Sequence, residues 1–242
     1  MDERLIDFLR RCRTGSIHDF GEHGHECSAQ WLADSPLPAC LLLNDLEIGA
    51  LPEGFGADPA FAGVTELDLS GNMLRSLPTD CFANLGAQLK VLLLGGPGPK
   101  FTPEGRTCNT LEALPPLSSL VHLEHLSLHD NSLTALPELR GCTALQMLRL
   151  DRNPLRALPE LPPALRVLHL EGCPLGGTLE RISDVPPQVR ALTQLDDLQL
   201  PDGSHVGEFF GTPLGALLAA ADDVPSPPTN PPSPPPPSPP TD

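Results

Sequence analysis

The chain has 242 residues and a formal net charge of −16, with 31 aspartates and glutamates against 15 lysines and arginines. Nucleic acids and anionic membrane surfaces bind dense lysine and arginine patches, so this charge balance argues against both as partners. No window approaches the roughly 20 consecutive apolar residues of a membrane span, and no secretory signal is recognisable, so we expect a cytoplasmic protein.

Residues 1–37 are predicted to form an N-terminal cap made of a short helix and a loop. An amphipathic helix is indicated by the apolar residues that precede Arg10 and Arg11, namely Leu5, Ile6, Phe8 and Leu9. A tandem repeat, described below, follows this segment. A stack of such repeats has open ends, and each end exposes an apolar layer unless a cap covers it.

The loop of this cap holds four side chains of the types that zinc accepts, His18, His23, His25 and Cys27. No second ligand pair stands at a usual spacing, so we predict a solvated loop and no metal. The alternative is a Cys/His nucleophile and base, which would make the protein an enzyme. The seven cysteines of the chain include no CxxC pair, and we expect free and mostly buried thiols.

The middle of the chain is a tandem repeat of the pattern L-x-L-x-x-N-x-L-x-x-L-P. The pattern is clearest at residues 67–78, 126–137 and 148–159, and a fourth copy at 168–175 has cysteine in place of asparagine. Weaker copies begin at Leu41, Leu92 and Leu195, which gives about seven repeats across residues 38–202. In L-x-L both leucines point to one side of a strand, and stacked neighbours bury the face that one coil cannot.

The pattern resembles that of the leucine-rich repeat family. The resemblance implies an α/β repeat solenoid, curved and right-handed, with a parallel sheet on its concave side and few or no long convex helices. The 20-residue coil with Leu161-Pro162-Pro163 resembles repeats of bacterial effector ubiquitin ligases, whose catalytic domain has no counterpart here. The 22-residue coils resemble intracellular signalling scaffolds of the Ras-pathway type and leucine-rich proteins of cilia and the cytoskeleton.

A ladder of inward polar side chains is predicted where each coil leaves its strand. An asparagine amide there donates to and accepts from backbone groups that the turn leaves unpaired, whereas a cysteine offers only a weak S–H donor. The predicted members are Asn72, Asn109, Asn131, Asn153 and Cys173.

Residues 95–108 are an insert in the third repeat. Its glycine-rich start lacks the G-x-x-x-x-G-K-[ST] pattern of a phosphate-binding loop, so we predict a flexible loop. A recognition role is the alternative, because long loops on regular scaffolds often bind partners.

Two positions of each repeat project from the concave sheet, the residue between the two leucines and the residue after the second. Neighbouring strands are about 4.8 Å apart, so side chains at these positions in successive repeats cluster. The predicted partner-binding residues are His129, Arg149, Asp151, His169 and Glu171. The alternative is an ordinary solvated surface.

The chain ends in two predicted segments of different character. Residues 203–223 are predicted to cap the last coil, and residues 224–242 to form a disordered proline-rich tail. From Pro225 to Asp242, 11 of 18 residues are proline, a composition that favours a solvated polyproline-II arm. The tail is expected to be inert, with a polyproline-binding domain as the alternative partner.

These features predict a non-catalytic, monomeric scaffold or adaptor that binds a protein partner on its concave face and needs no cofactor. Two alternatives are a metal-dependent or Cys/His enzyme that uses the N-terminal cluster, and a fragment of a larger leucine-rich repeat effector or signalling protein. The expected location is the cytoplasm, with the cytoskeleton or a cilium as the more specific alternatives.

Overall fold

The computed structural model describes residues 37–85, 88–96, 108–175, 186–203 and 205–206. Four predicted segments lie outside the described residues. They are the helix and His/Cys loop of the N-terminal cap, residues 97–107 of the insert, residues 207–223 of the predicted C-terminal cap, and the proline-rich tail.

One open sheet runs through the whole described region. Its first seven strands are parallel and follow one another in chain order. They are β1 (Cys40–Leu42), β2 (Glu66–Asp68), β3 (Val91–Leu93), β4 (His125–Ser127), β5 (Met147–Arg149), β6 (Val167–His169) and β7 (Asp197–Gln199). A 3₁₀ helix at Pro59–Gly63 and a single helical turn, α1 (Pro187–Arg190), are the helices of the described residues. This architecture confirms the predicted repeat solenoid.

The register places equivalent residues of every repeat side by side. Leu67 pairs with Leu92, Leu126 with Leu148, and the series continues to β7. Both leucines of each repeat are almost completely buried in the interior, except Leu200 of the last repeat, which is partly buried. Most apolar residues of the return paths are also buried, and several of the others pack against the core. Full burial of one leucine side chain stabilises the fold by about 1.5–3 kcal/mol, so the stacked leucines supply the main driving force.

An eighth strand, β8 (His205–Val206), pairs antiparallel with β7. The sequence analysis does not predict it, because Pro201-Asp202-Gly203 interrupts the repeat pattern. That interruption is a turn in which the Gly203 N–H donates to the Leu200 carbonyl at 2.9 Å and Gly203 has a φ of +84°. The returning strand occupies the edge of β7 and ends the parallel series.

The ladder asparagines hold the coils together at the strand ends. Asn153 Oδ1 accepts from the Leu133 N–H at 3.0 Å, and its Nδ2 donates to the Leu128 and Leu150 carbonyls, both at 2.9 Å. Asn131 makes the equivalent set of bonds. Cys173 makes one such side-chain bond, from Sγ to the Leu150 carbonyl at 3.2 Å.

At four of the five ladder positions, the preceding residue has a left-handed backbone that bends the strand into the coil. Gly71 and Gly172 have φ values of +64° and +72°, which glycine adopts without steric cost. Asp130 and Arg152 occupy the same position with φ values of +55° and +53°, at a cost of about 1–2 kcal/mol each. Their side chains form an ion pair with each other, which offsets part of this strain.

The insert leaves the third coil without interrupting the ladder. Asn109 follows the insert, yet its Nδ2 donates to the Leu94 carbonyl at 3.0 Å and to the Leu69 carbonyl at 2.9 Å, as the other ladder asparagines do in their coils. The two ends of the loop lie side by side, because a Cβ atom on Gly96 would stand 3.2 Å from Cys108 Sγ. The third coil therefore closes between Gly96 and Cys108.

Candidate protein-binding face

The face of the sheet that points away from the leucine core is the concave face of the solenoid. It consists of three columns of side chains. The leading column contains the residue before the first leucine of each repeat, Cys40, Glu66, Val91, His125, Met147, Val167 and Asp197. The central column contains the residue between the leucines, Leu42, Asp68, Leu93, Ser127, Arg149, His169 and Gln199.

The trailing column contains the residue after the second leucine, Asn44, Ser70, Gly95, His129, Asp151, Glu171 and Pro201. Backbone hydrogen bonds between neighbouring coils keep it in register, for example from the Asp130 N–H to the Asp151 carbonyl at 2.9 Å. The sequence analysis assigns the central and trailing columns but omits the leading one. The alternation of side chains along a strand predicts the leading column too, because the residue before the first leucine must also point outward.

Arg149 and Asp151 form an ion pair on β5 and the residues that follow it. Arg149 Nε and Nη2 lie 3.3 and 3.2 Å from Asp151 Oδ2. The Asp151 side chain is only 2% exposed, and its Oδ1 atom has no hydrogen-bond partner among the described residues. Asp151 Oδ2 therefore accepts both guanidinium hydrogen bonds, while Oδ1 accepts none from the described residues.

His129 lies over Gly95 of the preceding coil. A Cβ atom on Gly95 would stand 2.2 Å from His129 Nδ1, so only glycine leaves room for the imidazole in this position. His129 Nδ1 is 2.8 Å from Ser127 Oγ, and Nε2 is 4.0 Å from Asp130 Oδ2. Burial, reinforced by the positive charge of Arg149, lowers the pKa of His129 below its ordinary value, so the imidazole is neutral at pH 7.

The remaining polar groups connect β6 to its neighbours on both sides. His169 Nε2 lies 3.2 Å from Asp197 Oδ2, and Gln199 Nε2 donates to Glu171 Oε2 at 3.1 Å. Arg152 contacts one residue in the preceding coil and one in the following coil. Its Nη2 is 2.9 Å from Asp130 Oδ2, and its Nη1 is 3.6 Å from Glu171 Oε2. The hydrogen bonds to Asp130 are the main cause of a raised Arg152 pKa.

The five predicted binding residues thus lie on three successive rungs, and Arg149 and Asp151 contact each other directly. His129, His169 and Glu171 are held by other residues, chiefly Ser127, Asp130, Arg152, Asp197 and Gln199. Sequence reasoning did not single out Asp130 and Arg152. The sequence did contain a signal for this pair. Both residues stand immediately before a ladder asparagine, they are one repeat apart, and their charges are opposite.

The opposite end of the face carries a second acidic group. Asp68 accepts from the Ser70 N–H at 2.9 Å and from its hydroxyl at 2.5 Å. Burial raises the pKa of Asp68, with added repulsion from Asp45 and Glu66, while the bonds from Ser70 act in the opposite direction. Asp45 and Glu66 therefore disfavour the ionised form of Asp68.

No group of three or more His, Cys, Asp or Glu side chains that could hold a metal ion occurs in the described part of the chain. None of the helices described here is long and apolar enough to cross a bilayer.

The repeats and the ladder define the class of protein. The family model "Leucine Rich repeats (2 copies)" matches residues 121–163, and the model "Leucine Rich Repeat" matches residues 63–85. Both matches fall on coils of the solenoid described above. These matches identify leucine-rich repeats at residues 63–85 and 121–163, as the sequence pattern predicted.

Several solved structures of leucine-rich proteins resemble this chain. YopM from Yersinia enterocolitica is 30% identical with a TM-score of 0.40, over 67% of this chain and 33% of YopM. YopM from Yersinia pestis, a leucine-rich effector protein, is 24% identical with a TM-score of 0.33, over 66% and 47% of the two chains. A leucine-rich repeat protein from Leptospira interrogans is 22% identical with a TM-score of 0.31, over 64% and 52%.

The matched region therefore spans about a third of the Yersinia enterocolitica protein and about half of the other two. No curated protein shows significant sequence similarity to the chain.

Proposed function

We propose that the chain is a non-catalytic scaffold or adaptor that binds a protein partner on its concave face. Leucine-rich repeat proteins present rigid, extended surfaces suited to this role. The observation that carries the proposal is the group of polar side chains on β4 to β6, His129, Arg149, Asp151, His169 and Glu171. Hydrogen bonds and ion pairs restrain all five before any partner arrives.

Restrained polar groups favour binding because less side-chain entropy is lost when a partner docks. The side chains stand on a sheet with a leucine-packed interior, so their spacing is fixed by the strands rather than by mobile loops. Their mixture of charges favours a partner with a complementary pattern over a uniformly charged polymer.

The same proposal includes a monomeric protein in a reducing compartment such as the cytoplasm. The five cysteines within the described residues are all free thiols, and three of them, Cys81, Cys142 and Cys173, are buried. Burial raises the pKa of each of these three thiols, to about 12 for Cys81 and about 11 for the other two. Protonated thiols of this kind are poor nucleophiles, which supports a structural role for them.

Affinity capture with the full chain, followed by mass spectrometry, tests the proposal. The double variant Arg149→Ala, His169→Ala should lose the captured partner and keep its circular dichroism spectrum. The matched control is Arg156→Ala, His122→Ala, which removes the same residue types from exposed positions outside the three columns. Retention of the same proteins by the first variant would show that the concave cluster is only solvated surface.

A further inference from the structure

We propose that the concave face recognises a basic segment of a protein, with cationic side chains at both ends of the face and an apolar stretch between them. This inference rests on the proposed function, because it names the class of partner for the same face.

The charges of the face are strongly unequal. Its three columns contain five carboxylates, Glu66, Asp68, Asp151, Glu171 and Asp197, and a single arginine. Arg149 already contacts Asp151, and the nearby Arg152 contacts Asp130 and lies 3.6 Å from Glu171. The positive charges are therefore balanced within the protein, and the acidic excess faces the partner.

The acidic groups lie at the two ends of the sheet. Glu66 and Asp68 are on β2, with Asp45 in the preceding coil, and repulsion from Asp45 and Glu66 adds to burial in raising the pKa of the half-buried Asp68. At the other end, the side chains of Glu171 and Asp197 are 43% and 38% exposed. A cationic side chain at the β2 end would relieve the repulsion that Asp45 and Glu66 exert on Asp68. One at the other end would meet the half-exposed carboxylates of Glu171 and Asp197.

Asp151 supplies a separate indication of a ligand. Its Oδ1 atom is buried and has no donor among the described residues, although the side chain belongs to a column of the binding face. The Arg149 side chain that contacts the other oxygen is 38% exposed and can move toward solvent. A donor N–H from a partner could then satisfy Oδ1, because a buried carboxylate oxygen without a donor is unfavourable.

The apolar stretch lies between the two acidic ends. In the repeat that contains β3, all three columns have uncharged residues, namely Val91, Leu93 and Gly95. Four strand spacings of about 4.8 Å separate β2 from β6 and five separate β2 from β7, so the two ends are roughly 19–24 Å apart. An extended segment of about six or seven residues covers that distance, with basic residues at its ends and apolar residues near the β3 side.

Selection from a phage-displayed library of random peptides against the full chain tests this inference. The expected binders carry lysine or arginine on both sides of apolar residues, and their affinity falls as salt is raised. We expect binding to weaken about tenfold or more in the variant Glu66→Gln, Asp68→Asn, Glu171→Gln, Asp197→Asn. The matched control changes four exposed glutamates outside the columns to glutamine, at Glu53, Glu112, Glu138 and Glu160.

The outcomes separate the two proposals. Binders that are neutral or acidic but are lost with Arg149→Ala, His169→Ala would overturn the basic class and leave concave binding intact. Basic binders that both glutamine variants weaken equally would also overturn it, since net charge alone would explain them. Selection without any binder sensitive to changes on the face would overturn both proposals.

Discussion

A single asparagine at the end of a strand satisfies three backbone groups of two coils. Asn153 accepts from one N–H and donates to two carbonyls, one in its own coil and one in the preceding coil. Each of these groups is buried, and a buried polar group without a partner costs about 1–3 kcal/mol. This is why the same residue type returns at the same place in the repeat.

Cys173 provides a test of this account. Its coil closes partly through main-chain bonds, from the Cys173 N–H to the Leu170 carbonyl at 3.0 Å, and its thiol donates one bond. We expect Cys173→Asn to raise the free energy of unfolding by about 1 kcal/mol, because the amide adds an acceptor and a second donor. Urea denaturation measures the change.

Cys142→Asn is the matched control for that substitution. Cys142 is also buried and donates one bond, to the Leu117 carbonyl at 3.3 Å, but it lies on a return path. The amide has no ladder partners there, so this variant should lose stability. A loss of stability in Cys173→Asn as well would contradict the ladder account.

The lowered pKa of His129 makes stability depend on pH. Between that pKa and the ordinary value of 6.5, the unfolded chain binds a proton that the folded chain does not. The free energy of unfolding should therefore fall as the pH drops from about 7 through 6.5 toward the lowered pKa. Urea unfolding across this range should show a smaller fall in His129→Gln than in the parent chain, and an unchanged fall in the exposed control His122→Gln. Equal pH dependence in all three would refute the assignment.

At the scale of the strand and its turn, each coil has an inward side where substitutions disrupt packing and an outward side that tolerates them. The inward leucines of β5 and its neighbours are fully buried, whereas the outward columns vary in charge and size. Packing therefore fixes one side, and the other is available for recognition.

Leu148→Ala tests the inward side. Leu148 is fully buried between the equivalent leucines of β4 and β6, so the strands hold the resulting cavity open. We expect a loss of about 2–5 kcal/mol in the free energy of unfolding. Val121→Ala, at a side chain that is 43% exposed, should stay within about 0.5 kcal/mol. A loss below about 1 kcal/mol for Leu148→Ala would mean that the register is wrong.

Gly95→Ala tests the contact between adjacent coils on the outward side. The new methyl group would stand 2.2 Å from His129 Nδ1, so the imidazole must rotate away from Ser127. Greater exposure should raise the pKa of His129 toward its ordinary value, which NMR titration of the ring proton measures. Gly49→Ala is the control, because nothing lies within 4 Å of its new atom. An unchanged His129 titration in Gly95→Ala would place the imidazole elsewhere.

At the scale of the whole molecule, the proline-rich segment and the solenoid are predicted to be energetically independent. The sequence after Val224 contains no apolar side chain other than proline, so it has nothing to anchor in a leucine core. A chain that ends at Asp223 should keep the melting temperature of the full chain. Differential scanning calorimetry of both chains checks this, and a drop of several degrees would show that the tail contributes to the fold.

The sequence by itself determined the repeat, the parallel order of the strands, the inward leucines and the ladder positions. A fixed period and strict strand alternation are sufficient for these, because each depends only on residue spacing along the chain. The same spacing predicted that Arg149, Asp151 and their neighbours on adjacent rungs lie together.

Only the tertiary structure decided which of those side chains pair. The contacts of Arg152 with Asp130 and of His169 with Asp197 join residues 22 and 28 positions apart, and they depend on the rotamers that neighbouring coils permit. The closure of the third coil between Gly96 and Cys108 and the return of β8 along β7 likewise depend on contacts between distant segments. Spacing fixes where a side chain stands, whereas packing against other coils fixes what it contacts.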